Sequence, residues 1–102
     1  MALIIQTDEP SVLLKAIRDA IDGEDVDTWS YDDNDYFTYT QGEWKNRAWF
    51  RAVLHPGELR FTMVESSNRK FTKEVNGIYH GRFVEMLLTL FDEELVSVTA
   101  AP

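Results

Sequence analysis

Arg47-Ala48-Trp49-Phe50-Arg51-Ala52-Val53-Leu54, then His55-Pro56-Gly57, then Glu58-Leu59-Arg60-Phe61-Thr62-Met63-Val64: the fold is decided in this run. In an extended chain successive side chains take opposite faces. Ala48, Phe50, Ala52 and Leu54 therefore form one apolar face, and Leu59, Phe61 and Met63 continue it on the returning segment. Arg47, Trp49, Arg51 and Val53 share the other face, beside Arg60, Thr62 and Val64. The Pro-Gly pair turns the chain between two alternating segments, so the run reads as an antiparallel hairpin. One face is fit for a core and the other is mixed, the pattern of a sheet covered on a single side.

The flanking sequence supplies the cover. Ala2–Gln6 is short, rich in isoleucine and leucine, and reads as a strand. Thr7-Asp8-Glu9-Pro10 signals a helix start, with acids at the positive end of the helix dipole and proline in the first turn. Val12, Leu13, Ala16, Ile17, Ala20 and Ile21 then fall on one helical arc, opposite Ser11, Lys15, Arg18, Asp19 and Asp22, with Gly23 placed to end the helix. Asp27–Tyr31 and Tyr36–Thr40 alternate around an Asp32-Asp33-Asn34-Asp35 turn. Glu65 to Asn68 reads as a polar loop, and Phe71, Lys73 and Val75 as a further strand. Ile78 to Phe91 returns to the helical period, Asp92-Glu93-Glu94 ends it, and Leu95 to Thr99 alternates as a closing strand. The expected order is β-α-β-β-β-β-β-α-β. That predicts an α+β fold, an antiparallel sheet of about five to seven strands with two helices packed on one face. No linker, repeat or low-complexity stretch interrupts residues 1–102, which read as a single globular domain.

Composition narrows the function classes. With 44% hydrophobic and 13% aromatic residues in 102, the chain is too apolar for a disordered tail. Eighteen acids against ten bases give a formal charge of −8, the wrong sign for a generic duplex-DNA binder. The absence of cysteine excludes a disulfide scaffold, a thiol nucleophile and cysteine-based metal centres. No apolar run approaches the roughly 18 residues of a membrane span. Met1 to Gln6 has no basic region and no long apolar stretch of a secretory signal, so a cytoplasmic, bacterial-type protein is expected. The charge is uneven. Residues 1–35 hold ten acids and two bases, net −8; residues 36–91 hold five and eight, net +3; residues 92–102 add three acids.

The candidate binding residues come from the opening hairpin. If the helices cover one face, the other presents Trp49 among Arg47, Arg51 and Arg60, a patch fit for an anion, an aromatic ligand or a protein surface. Arginine stems lying over a solvated tryptophan, with no ligand, are the structural alternative. In the second helix Tyr79, Phe83, Met86, Leu87 and Leu90 make a core stripe, while Val84, Leu88 and Phe91 widen it beyond what a surface helix needs. The first helix or a second subunit is expected against that extra side, near Gly81, where a missing side chain permits close approach. His80 falls in the same arc and is expected to be buried and neutral with one hydrogen bond, and His55 to be solvated in its turn.

Other chemistry finds little purchase. The two histidines have no metal-ligand spacing, and neither Asp22–Asp27 nor Asp32–Asp35 follows the calcium-loop pattern. No nucleophile elbow or glycine-rich phosphate loop is present, and the paired carboxylates sit in turns, so no catalytic residue, metal or cofactor is assigned and the reading leans away from an enzyme.

Trp29-Ser30-Tyr31-Asp32-Asp33, Trp44, Trp49, and Tyr79-His80-Gly81-Arg82-Phe83-Val84-Glu85-Met86-Leu87-Leu88 with Phe91-Asp92 together resemble a group of small uncharacterised proteobacterial proteins. The resemblance spans nearly the whole chain and implies a single-domain α+β protein; it implies no activity or ligand. The expectation is a protein-binding domain acting through Arg47, Trp49, Arg51 and Arg60, or a homodimer through the second helix. Two alternatives accompany it: single-stranded nucleic-acid binding on the same face, by stacking and arginine contacts, and an acidic, immunity-like partner of a basic protein acting through residues 22–35.

Overall fold

The hairpin is present as read. In the computed structural model, which describes residues 1–65 and 72–101, β4 (Ala48–His55) and β5 (Glu58–Glu65) pair over eight residues, from Ala48↔Glu65 to His55↔Glu58. Pro56-Gly57 closes the pair, with Gly57 at φ 73°, the left-handed value that a type II turn asks of its second central residue. Around it lie β1 (Ala2–Gln6), β2 (Trp29–Tyr31), β3 (Tyr36–Tyr39) and β6 (Ser97–Ala101). All neighbours are antiparallel, in the order β2-β3-β4-β5-β1-β6. Residues from β2 to β5 form the expected meander, while β1 inserts beside β5 and leaves β6 at the far edge.

Two helices connect the ends of this sheet and share one of its faces. The first, α1 (Pro10–Asp22), starts on Pro10 and ends at Gly23, whose N–H donates to the Asp19 carbonyl. Of its buried residues Leu13 and Ile17 come from the expected arc and Leu14 lies at its edge, while Val12, placed on that arc, is exposed. The second, α2 (Lys73–Leu90), begins five residues earlier than the spacing from Ile78 implies. The strand expected at Phe71, Lys73 and Val75 is therefore corrected: Lys73 and Val75 belong to the first turn of α2, while Phe71 lies outside the described residues, as does the loop expected over Glu65–Asn68 except for Glu65, which ends β5. The reason is helical spacing. Val75, Tyr79, Phe83, Met86 and Leu87 fall on one buried stripe, and the Thr72 hydroxyl caps the turn by accepting from the Val75 N–H at 3.2 Å. With that strand removed the order is β-α-β-β-β-β-α-β, and the sheet has six strands.

The core is an aromatic slab between the sheet and α2. Trp29 meets Phe83 edge-on at 4.8 Å, Tyr79 at 5.6 Å and Tyr39 at 5.4 Å. Phe83 in turn lies 4.5 Å from Phe61 and 5.2 Å from Phe50. Edge-to-face pairs of this kind add about 0.5–1.5 kcal/mol each beyond the area they bury. Every sheet residue in the slab has the parity of Phe50 and Phe61, so the opposite parity, that of Trp49, faces away from both helices. No helix of the described residues is long and apolar enough to cross a membrane.

Candidate binding surface

The uncovered face can be read row by row, because residues directly opposite in an antiparallel pair share a side. One row runs Tyr36, Arg51, Thr62, Ala2, Ala101 across five strands. The next runs Val53, Arg60, Ile4, Thr99. Trp49 stands opposite Val64 on the other side of the Arg51 row. Trp49, Val64, Val53 and Ile4 are half-buried by one another and by their neighbours, whereas Arg51 and Thr62 are exposed. The surface thus carries one small apolar island, Trp49 with Val64, and two separate apolar positions, Val53 and Ile4, that flank Arg60; the polar Arg51–Thr62 row lies between.

Of the four residues that the alternation nominates, the structure brings two together. Trp49 and Arg51 are adjacent same-face positions on β4. Arg60 lies on that face too, but four residues along β5 from Val64, about 13 Å at roughly 3.3 Å per residue. Its guanidinium is taken by Glu58, two residues away on the same strand. Arg47 departs from the expectation. It precedes β4, its N–H donates to the Tyr79 hydroxyl at 3.0 Å, and its guanidinium sits 5.9 Å from the Trp44 ring and donates to the Glu43 carbonyl. The cause is the 3₁₀ turn at Gly42–Trp44: Tyr79 also donates to the Trp44 carbonyl at 2.6 Å, anchoring this turn to α2 and carrying Arg47 with it.

Two participants were not nominated by sequence reasoning. Tyr36 is half-buried directly across from Arg51, so a second aromatic shares the face with that residue. Tyr36 and Phe37 are consecutive aromatics, and the alternation does not say which faces in; the burial of Phe37 at 0% exposure settles it. Ile4 joins the surface only because β1 lies beside β5, a neighbour relation that no local pattern encodes.

The remaining candidates have mostly structural roles. Asp32 accepts from the N–H groups of Asn34 and Tyr36, Asp35 pairs with Arg18 on α1, and Asp22 accepts the Tyr31 hydroxyl proton. These acids shape turns and tie them to α1. His80 is half-buried: its Nδ1 bonds the Asn76 carbonyl at 2.8 Å and its ring stands edge-on to Phe50 at 5.1 Å. His55 is exposed, as its turn position implies. On α2, Leu88 is 55% exposed and Val84 half-buried, so α1 leaves the outer part of the broad apolar arc uncovered. Among the described residues no three His, Asp or Glu side chains gather as a metal-ligand set.

No protein family, curated protein or solved structure matches this chain.

Proposed function

We propose that the chain is a protein-binding domain whose contact surface is the uncovered sheet face centred on Trp49 and Arg51. One observation carries this reading: a tryptophan, an arginine and a tyrosine stand together on the side of the sheet that neither helix covers. Trp, Tyr and Arg are the residue types that dominate binding energy at protein interfaces, and the apolar positions around them supply area that excludes water. Arg51 is free of ion pairs among the described residues, and the chain is otherwise strongly acidic, so the partner patch that fits is apolar with a carboxylate facing Arg51.

A photo-cross-linking residue at Thr62 in the producing cell tests this. An adduct is expected from Thr62 and not from a control position at Lys15 on α1, and Trp49→Ala abolishes it while the melting temperature stays within a few degrees of wild type. Adducts to nucleic acid, adducts only from the α1 control, or loss of folding in Trp49→Ala would each contradict the reading.

A second reading is favoured by α2. Gly77, Ile78, Gly81, Val84 and Leu88 share the side of the helix turned from the core, and a Cβ at either glycine meets nothing within 4 Å. Such a side suits a second copy of the chain. Sedimentation then gives a dimer for wild type and a monomer for Leu88→Glu; a wild-type monomer at every concentration rejects it.

A further inference from the structure

The sheet has two edges, and they differ. At one, β2 is only three residues long, which leaves little backbone to pair with. At the other, β6 pairs with β1 in unbroken register from Gln6↔Ser97 to Ala2↔Ala101, and its outer side has no neighbouring strand among the described residues. Its sequence, Ser97-Val98-Thr99-Ala100-Ala101, contains none of the devices that usually guard an edge: no charge, no proline, no bulge. An edge of this kind is a template for another extended segment.

The approach to β6 has its own character. Immediately before it, Glu93 to Val96 faces the start of α1 across a groove of about 280 Å³. Val12 and Val96 line it and are 55% and 71% exposed. Asp8, Glu9, Glu93 and Glu94 also line it; all four are exposed, and none is in an ion pair with a described residue. Four carboxylates around an apolar strip set a negative field beside the segment that leads into β6.

We infer that β6 and this groove form a docking site for an extended, cationic segment of a partner protein. The segment adds to the sheet antiparallel to β6, apolar side chains rest on Val96 and Val12, and a lysine or arginine beyond the strand meets Asp8, Glu9, Glu93 and Glu94. A second copy of this chain is disfavoured as the occupant, since it brings its own charge of −8 and the same carboxylates. The site is separate from the Trp49 surface and stands or falls without it.

The test is an NMR titration of the full ¹⁵N-labelled chain with the peptide acetyl-Lys-Val-Lys-Val-Thr-Val-Lys-amide. Shifts are expected at residues 93–101 and 7–13, with slowed exchange of β6 amides. Glu93→Lys with Glu94→Lys should weaken binding at least tenfold. The same peptide N-methylated at alternate residues keeps its charge but loses its strand donors, and should also bind at least tenfold more weakly. The inference is overturned if no shifts appear at millimolar peptide, if they centre on residues 22–35, if the methylated peptide binds equally well, or if the free chain is already a dimer with protected β6 amides.

Discussion

Tyr31 offers its hydroxyl to both carboxylate oxygens of Asp22 at 2.8 Å. This hydrogen bond, with partial desolvation and the negative charge of Asp22 behind it, raises the tyrosine pKa above its ordinary value of 10.0. The folded chain therefore holds that proton more tightly than the unfolded chain. The stability this contact contributes is fully present below the ordinary tyrosine value and is lost as pH rises through the raised one, because the unfolded state then binds fewer protons. In Asp22→Asn, NMR of the Tyr31 ring carbons should show ionisation at lower pH than in wild type; an unchanged titration would mean the contact is not held in solution. The same scale separates the tryptophans. Trp29, 2% exposed amid Tyr39, Tyr79 and Phe83, should lose about 3–5 kcal/mol on truncation to alanine, whereas half-buried Trp49 should lose about 1 kcal/mol. Alternation put Trp49 on the face opposite Phe50 but named no face for Trp29, whose burial follows from its pairing with Tyr39. It misplaced the Arg47 guanidinium because nothing local announces the hydrogen bonds that draw that residue to Tyr79.

Helix α2 is the element where local reading fell furthest short. Its true start at Lys73 was written in Thr72 and Glu74, a cap and a first-turn acid, yet Phe71, Lys73 and Val75 imitate a strand over so short a window. Only the longer spacing from Val75 to Tyr79 and Phe83 decides between the two. The helix also carries two interior glycines, each costing about 1 kcal/mol relative to alanine. No close neighbour among the described residues requires them. Gly77→Ala and Gly81→Ala should each stabilise the monomer by up to about 1 kcal/mol, a rise of several degrees in thermal melting. A fall in melting temperature would show that these positions are packed against something, and the second copy invoked for this face is the first place to look. By contrast α1 and the β4–β5 hairpin were legible to within a residue or so at their ends, since proline, glycine and a clear period mark them; Arg47, read inside the strand, precedes β4, and Glu65, read as loop, closes β5.

At the scale of the molecule, the architecture follows from one asymmetry. Phe50, Phe61 and Phe37 need cover, amphipathic α1 and the more broadly apolar α2 provide it, and with both on one side the opposite parity is left outside. The α+β class and the single-sided layering were readable from that asymmetry. The strand order was not, because placing β1 between β5 and β6 depends on long-range pairing, and with it went Ile4, Thr99 and the open edge at β6. The most direct check of the layering uses the three indole N–H signals of the ¹⁵N-labelled chain, assigned by Trp→Phe variants, in the presence of a soluble gadolinium chelate. The Trp49 signal should broaden strongly while Trp29, whose Nε1 is buried, is spared; a Trp49 signal as protected as that of Trp29 would contradict the uncovered face and the binding surface built on it.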